Sequence, residues 1–135
     1  MTYTYKEWLK EEYYNFSIAF NRIESYNEYC KKWLNYFGIV VTFDSNTNWN
    51  INDIVDIKDY NRVKTNINIL LNAIQSDTTR LNISEQYNQV WNVTKANELE
   101  IRLKENLKKL GEWQFSNEIT GIAITGNNLR LGGVL

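Results

Sequence analysis

The stretch from Trp49 to Leu71, W-N-I-N-D-I-V-D-I-K-D-Y-N-R-V-K-T-N-I-N-I-L-L, has the features of a capped amphipathic helix. Asp56, with Asp59 three residues later, matches a capping box, and two acids in a first turn also suit the helix dipole. The pattern predicts a helix that starts at Asp56 and ends near Gln75. Its apolar residues recur at steps of three and four, which predicts one buried face: Ile57, Tyr60, Val63, Ile67, Leu70, Leu71 and Ile74.

A weaker form of this pattern occurs 40 residues earlier and 40 residues later. R-V-K-T-N-I-N-I-L at 62–70 aligns with R-L-K-E-N-L-K-K-L at 102–110, while R-I-E-S-Y-N-E-Y-C at 22–30 agrees less well. Repeated units of this kind bury together a stripe that none of them buries alone. The competing interpretation is that any two amphipathic helices look alike. The spacing favours repetition, because an arginine starts each copy and a tryptophan precedes it: Arg22, Arg62 and Arg102, with Trp8, Trp49 and Trp91.

The fold class that these patterns predict is mainly α, a small helical bundle of about three imperfect repeats of ~40 residues. The units lie at 3–37, 46–75 and 88–110, inside one helical domain that covers residues 1–111. A chain of 135 residues forms one domain by default, and it is long enough to bury a modest core.

Three further helices are expected around the central one. A short helix is predicted within residues 3–14, and a second runs from Ile18 to Phe37, with Gly38 at its C-terminal end. A fourth helix over 95–110 is predicted to end at Gly111. Its solvated face carries acid–base pairs at i, i+4 in the favourable order: Glu98–Arg102, Glu100–Lys104 and Glu105–Lys109.

Two segments are predicted to be extended. Residues 39–43, I-V-V-T-F, are β-branched and aromatic and lie between turn-forming residues, which predicts a short strand. Residues 112–135 contain I-T-G-I-A-I-T-G-N-N-L-R-L-G-G-V-L, whose alternation and glycines indicate a hairpin or an extended C-terminal arm. We expect such an apolar arm to pair with a sheet edge, either its own or that of a neighbouring subunit.

The composition argues against several classes of partner and compartment. The net charge is −1 and no basic tract is present, so nucleic acid is not an expected partner. No run of 18 apolar residues predicts a membrane span, and the N-terminal residues lack the pattern of a signal peptide. Cys30 is the only cysteine and lies in an apolar helical stripe, so a buried thiol is expected and an intramolecular disulfide is not.

Catalytic, metal and cofactor chemistry find little support in the sequence. Histidine is absent, which removes the commonest general base and metal ligand. The acids Asp53, Asp56 and Asp59 are better explained by helix capping than by a cation. Residues 44–50 alternate acceptors as a calcium loop does, but they lack its glycine and its distal glutamate. We therefore expect no enzyme activity, no cofactor and no metal.

The segment beginning at Trp49 resembles one found in structural proteins of phages of low-GC Gram-positive bacteria, near the N-termini of tail-fibre and baseplate-associated proteins. There the pattern is a tryptophan, an Asp-aliphatic approach, an acid-rich cap, an aromatic residue or Leu, Asn-Arg-Ile or Asn-Arg-Val, and then Asn-Ile. The match is strong over about 20 residues and rests on these positions: Trp49, Asp53, Asp59, Tyr60, Asn61, Arg62, Val63, Asn66 and Ile67. In fibre proteins the segment leads into a long shaft, which this sequence does not show.

The resemblance implies a virion component, assembled in the host cytoplasm, whose partners are other virion proteins and further copies of itself. An arginine fork can hold a carboxylate or several carbonyls across an interface. The alternative for Arg62 is an exposed side chain with a local Asp59 pair. A rival function is a soluble regulatory or inhibitory protein acting on a host factor. The candidate interface residues are Trp49, Tyr60, Asn61, Arg62, Asn66, Arg22 and Arg102.

Overall fold

The described part of the chain contains three α-helices: α1 (Phe16–Tyr36), α2 (Ile57–Ala73) and α3 (Val93–Ile124). The structure is a computed structural model that describes residues 3–9, 16–83 and 93–124, with residues 115–124 described as helix backbone only. Each helix packs against the other two, and no strand occurs in these ranges. The prediction of a mainly α fold and a small helical bundle is therefore confirmed.

The three helices run in the same direction. One buried cluster joins Phe20 and Ile23 of α1 to residues 60–67 of α2 and to Leu99 and Leu103 of α3. A second cluster lies further along all three helices and contains Cys30, Leu34, Leu70, Ile74 and Leu110. Residue numbers increase from the first cluster to the second along every helix, and the clusters meet in α2, where Leu71 belongs to the first and Leu70 to the second. Parallel neighbours need long connections, and the connector between α1 and α2 runs back along the bundle, from Val41 beside Asn35 to Trp49 beside Asn21.

The core residues meet in layers at nearly equal spacing along the chain. Ile23, Val63 and Leu103 share the first cluster, and their numbers differ by 40. The second cluster contains a set with the same spacing, made up of Cys30, Leu70 and Leu110. The steps of three and four between successive buried positions are those of a coiled-coil seam, in which each layer takes one side chain from each helix.

The ends of α1 and α2 follow from local sequence. Asp56 is the N-cap of α2 and forms a complete capping box with Asp59, as predicted. Gly38 has a φ of 92° and donates its N–H to the Asn35 carbonyl, which closes α1 as the sequence indicates. Gln75 takes the same left-handed conformation after α2, with a φ of 57°.

The predicted strand at 39–43 is wrong, because these residues form an extended connector without a partner strand in the described part of the chain. The Val41 N–H donates to Asn35 Oδ1 at 2.7 Å, and Asn35 Nδ2 donates back to the Val41 carbonyl at 3.3 Å. A side-chain amide from α1 thus takes the place that a neighbouring strand would fill. The β-branched sequence predicted a strand, and it could not indicate that a side-chain amide would bind this backbone instead.

The predicted helix stop at Gly111 is also wrong. Helix α3 continues through Gly111 to Ile124, so the predicted domain boundary falls inside a helix. Nothing lies within 4 Å of where a Cβ would stand at Gly111, and the residue is exposed. The expected C-terminal arm therefore cannot start before residue 125, and residues 125–135 lie outside the described ranges. Residues 3–9 of the predicted first helix are not helical, and residues 10–15 lie outside the described ranges too.

Cys30 is buried, as expected, with 2 % of its surface exposed. Burial raises the pKa of its thiol to about 12, so the thiol stays protonated and unreactive near neutral pH. Of the helices in the described ranges, none is both long and apolar enough to cross a membrane.

Candidate functional site

Two buried carboxylates organise the interfaces between helices. The first is Glu24 of α1, which has no exposed surface. Arg62 of α2 binds it with both terminal nitrogens: Nη1 contacts Oε1, and Nη2 donates to Oε2 at 3.0 Å. The indole Nε1 of Trp49 donates to Oε2 at 2.5 Å. We refer to Glu24, Arg62, Trp49 and Asn21 as the Glu24 cluster.

The Glu24 cluster fixes the connector between α1 and α2 to the helices. The Trp49 N–H donates to Asn21 Oδ1 at 2.7 Å, and Asn21 Nδ2 donates to the Trp49 carbonyl at 2.7 Å. Further upstream, the Asp44 carbonyl accepts from Arg62 Nη1 at 3.0 Å and from Asn66 Nδ2 at 2.7 Å. Side chains of the helices thus form the hydrogen bonds to the connector backbone that a neighbouring strand would otherwise form.

The second buried carboxylate is Glu100 of α3, also without exposed surface. Arg22 of α1 donates to it from Nε at 2.8 Å and from Nη2 at 3.1 Å. The indole of Trp8 donates to Oε2 at 3.1 Å, and Tyr3 Oη donates to Oε1 at 3.2 Å. The Trp8 backbone pairs with Asn97, whose Oδ1 accepts the Trp8 N–H at 2.7 Å. Glu100, Arg22, Trp8 and Asn97 form the Glu100 cluster.

The two clusters contain the same types of residue in the same hydrogen-bonding arrangement. In each, an Asn-x-x-Glu pair on one helix binds the backbone and the indole of a tryptophan in an extended segment. An arginine from a second helix donates hydrogen bonds to the carboxylate and to a backbone carbonyl upstream of the tryptophan. That carbonyl belongs to Asp44 in the Glu24 cluster and to Thr4 in the Glu100 cluster. The same arrangement therefore joins α2 to α1 and α1 to α3.

The interface between α3 and α2 lacks this arrangement. Arg102 of α3 binds two backbone carbonyls, donating from Nε to Thr79 at 3.0 Å and from Nη1 to Glu98 at 3.3 Å. The position on α2 that corresponds to Glu24 is Lys64, which is 1 % exposed and donates to the Asn82 carbonyl at 2.6 Å. A lysine cannot accept from an arginine, so the described part of this interface holds no buried carboxylate–arginine pair.

The electrostatics of both arginines reflect their buried partners. Hydrogen bonding to Glu24 raises the pKa of Arg62 and outweighs its partial burial. For Arg22, burial opposes the charged form, but the hydrogen bonds and charge of Glu100 outweigh this, and the pKa is raised. Burial and the neighbouring Glu100 charge raise the pKa of Tyr3, which keeps its hydroxyl protonated as a donor. Both arginines therefore stay charged and Tyr3 stays neutral at physiological pH.

The hydrogen-bonding atoms of the buried carboxylates are occupied within the chain. Both Glu24 oxygens are occupied by donors from Arg62, Trp49 and the Asn46 N–H, the last at 2.9 Å. No group of three or more metal-ligating side chains could hold an ion in the described ranges. Each carboxylate is thus a satisfied internal charge that links two helices and an extended segment.

Most of the predicted interface residues lie inside the chain. Trp49, Tyr60 and Asn66 are 8 %, 5 % and 2 % exposed. Arg62 and Arg22 hold a carboxylate and a carbonyl, as the arginine-fork hypothesis proposed, but within one chain. Asp59 is not the main partner of Arg62, since Asp59 closes the capping box. Asn61 Oδ1 is buried with no hydrogen-bond partner in the described ranges. Their role in contacts between subunits stays a prediction.

The sequence patterns did not indicate the two glutamates that organise these clusters. The i, i+4 spacing of charges predicted a solvated position for Glu100 beside Lys104, whereas Glu100 is fully buried against Arg22. A signal existed in the repeated Asn-x-x-Glu spacing, at Asn21–Glu24 and Asn97–Glu100. Comparison with protein-family models, with curated proteins and with solved structures finds no match for this chain.

Proposed function

We propose that this chain is a non-enzymatic structural protein of the virion of a tailed phage or phage-derived particle. Its place would be in the tail or baseplate, as an adaptor that assembles with other virion proteins and with itself. The resemblance of the Trp49 segment to phage structural proteins is the observation that carries the proposal.

The residues that carry the resemblance have structural roles here. Trp49 and Arg62 complete the Glu24 cluster, Asp59 caps α2, and Val63 and Ile67 lie in the core with no exposed surface. A segment whose residues serve folding can recur in proteins that share a building block. The proposal therefore treats the segment as a folding unit that presents other surfaces to neighbours.

We also propose that the chain consists of three imperfect repeats. The support is the 40-residue spacing of the core residues at 23, 63 and 103 and at 30, 70 and 110. The two related clusters follow this spacing only in part: Arg22 and Arg62 are 40 residues apart, whereas Glu24 and Glu100 are 76 apart, about one helical turn short of two repeats. In each complete cluster a tryptophan segment precedes the helix that supplies the arginine. The units at 3–37, 46–75 and 88–110 would then be copies of one tryptophan segment followed by one helix.

Exposed apolar residues beside the Glu24 cluster are the best candidates for assembly contacts. Ile51 is 65 % exposed and Ile54 is 86 % exposed, and both lie in the connector just after Trp49. Because the cluster fixes this connector to two helices, these side chains are presented on a rigid support. Isolated exposed isoleucines are common, but two in one short connector fit an adaptor surface.

Incorporation into particles tests the proposal. Particles from a lysate would be purified and their proteins identified by mass spectrometry, with the wild-type chain expected among them. The double variant Ile51→Ser/Ile54→Ser should be incorporated at least about tenfold less, since it removes apolar contact area without touching the core. Asn52→Ser/Lys58→Ser is the matched control in the same region, with both positions exposed. Absence of the wild-type chain from particles, with recovery on a host protein, would favour the regulatory rival.

A further inference from the structure

An asparagine in the middle of α1 is buried without a protein partner in the described ranges. Asn27 has no exposed surface, and neither its Nδ2 nor its Oδ1 has a hydrogen-bond partner there. Buried amides in folded proteins are nearly always hydrogen-bonded, because an unsatisfied donor or acceptor carries the full cost of its removal from water. A side chain of this kind indicates a place for a small polar ligand.

The connector between α1 and α2 crosses α1 at the level of Asn27. Glu24, Asn27 and Lys31 are three and four residues apart, so they lie along one face of the helix. Glu24 Oε1 accepts the Asn46 N–H at 2.9 Å, and Lys31 Nζ donates to the Phe43 carbonyl at 3.0 Å. The two connector residues between these anchor points therefore pass over Asn27.

Ser45 is one of these two connector residues and brings another unsatisfied polar atom to the crossing. Its Oγ is buried and has no hydrogen-bond partner in the part of the chain that the structure describes. The carbonyl of Asp44, the other residue, already accepts from Asn66 Nδ2 at 2.7 Å and from Arg62 Nη1 at 3.0 Å. The groups left to bind a ligand are thus the Asn27 amide on the helix and the Ser45 hydroxyl on the connector.

The hydrogen-bonding groups at the crossing match water better than an ion. The amide offers both a donor and an acceptor, and the hydroxyl can act as either, so the ligand must both donate and accept. A buried ion held by so few neutral groups would be costly, whereas a buried water typically makes about three hydrogen bonds. The neighbours of Asn27 on the core face, Ile23 and Cys30, are 0 % and 2 % exposed, which favours a ligand of minimal size.

We propose that Asn27 and Ser45 bind an ordered internal water between α1 and the connector. The water supplies hydrogen bonds that the amide and the hydroxyl do not find in the described chain. It links the connector to α1 between the anchor points at Glu24 and Lys31. Because it lies beneath the connector, it exchanges with solvent only when the connector lifts from the helix. This site belongs to the interior and is separate from the surface proposed for assembly.

Oxygen-17 magnetic relaxation dispersion of the purified chain counts long-lived internal waters. Asn27→Leu should lower the dispersion amplitude by about one water molecule, because leucine offers no polar atom and fills the space. Asn72→Leu is the matched control, since it makes the same substitution at an exposed position of α2 and should leave the amplitude unchanged. Equal amplitudes for wild type and Asn27→Leu would overturn the proposal.

Water-to-amide NOE and ROE measurements on the ¹⁵N-labelled chain locate the water. A long-lived water transfers magnetisation with opposite sign in the two experiments, whereas proton exchange gives the same sign. Transfer is expected at the Asn27 side-chain amide and not at Asn66, which is 2 % exposed but donates to a carbonyl. Ser45→Ala should lower the Asn27 transfer by at least about half, since the water loses one of its hydrogen bonds. Ser76→Ala is the matched control, because that buried hydroxyl is bound to Glu105 at 3.1 Å.

The experiments do not depend on a single variant. If Asn27→Leu does not fold, transfer at Asn27 in wild type that Ser45→Ala reduces supports the site, and its absence in wild type refutes it. Transfer that is unchanged in Ser45→Ala would place the water away from the connector and reject the assignment. Transfer without any loss of oxygen-17 amplitude in Asn27→Leu would identify an exchanging hydroxyl in direct contact with the amide, which also rejects it.

Discussion

The two ends of the parallel bundle are held together by different interactions. At the N-terminal end, the Glu24 and Glu100 clusters link helices through buried charges with fixed hydrogen-bond geometry. At the C-terminal end, the second core cluster is bordered by partly buried aromatic residues, among them Trp33, Phe37 and Trp113. Directional polar contacts specify which helix meets which, whereas apolar contacts supply non-directional burial. The comparison teaches that directional polar contacts set the register of the helices at one end, whereas apolar and aromatic packing predominates at the other.

The largest effect on stability is expected when an arginine of the Glu24 cluster is replaced. Arg62→Ala should lower the free energy of unfolding by about 3–5 kcal/mol, because it leaves Glu24 buried without its countercharge. Arg102→Ala is the matched control from the interface without a carboxylate. Its side chain binds only exposed backbone carbonyls, so a loss below about 1 kcal/mol is expected. Urea denaturation followed by circular dichroism measures both. Equal losses for Arg62→Ala and Arg102→Ala would mean that the buried Arg62–Glu24 pair stabilises the fold no more than the exposed contacts of Arg102.

A smaller effect distinguishes the tryptophans at the two ends. Trp49→Phe keeps an aromatic ring in the core but removes the N–H that Glu24 accepts. A hydrogen bond to a charged group contributes about 1.5–3 kcal/mol, and we expect a loss of that size in the free energy of unfolding. Trp33→Phe at the C-terminal end should cost less than about 1 kcal/mol, since Trp33 is only partly buried. The same denaturation assay decides, and a larger loss for Trp33→Phe would reverse the comparison.

The smallest expected effect is a gain in stability at the C-terminal end. Gly111 lies inside α3, is exposed, and has open space where a side-chain carbon would stand. Gly111→Ala should therefore raise the free energy of unfolding by about 0.5–1 kcal/mol.

Gly38→Ala is the control, because Gly38 has a φ of 92° that an L-residue adopts only with strain. That substitution should lower the free energy of unfolding by about 1–2 kcal/mol. Thermal denaturation of the two variants beside wild type provides the measurement. Destabilisation by Gly111→Ala would show that the helix ends at residue 111, as the sequence pattern indicates.

The features that the sequence predicted well depend on neighbours along the chain. The Asp56–Asp59 box, the Gly38 stop and the apolar face with Cys30 each follow from residues within a turn or two. Local rules also explain one error, because glycine is tolerated inside a helix whose packing continues beyond it. Gly111 is such a case, since Leu110 is buried and Trp113 still packs against the core.

The features that the sequence did not reveal depend on distant partners. Glu24 and Glu100 look like surface residues in their own helices, and their burial becomes possible only because Arg62 and Arg22 arrive from other helices. The separation is 78 residues between Arg22 and Glu100. The connector at 39–43 misled for a different reason, because its backbone is bound by the side chain of Asn35, only six residues from Val41, in place of the expected strand. Regular spacing indicated that the arginines matter, but it could not name their partners.

The parallel direction of the helices has a consequence for how the chain acquires its structure. None of the three described helices forms a hairpin with the next. The packing of α1 against α2 therefore requires that the connector between Tyr36 and Ile57 first runs back along the bundle. During synthesis, Arg22 emerges long before Glu100 exists, and Trp8 has no acceptor until α3 is made. Contacts of such high sequence separation slow folding. The contacts of α1 with α3 can therefore form only after Glu100 has been synthesised, 78 residues after Arg22.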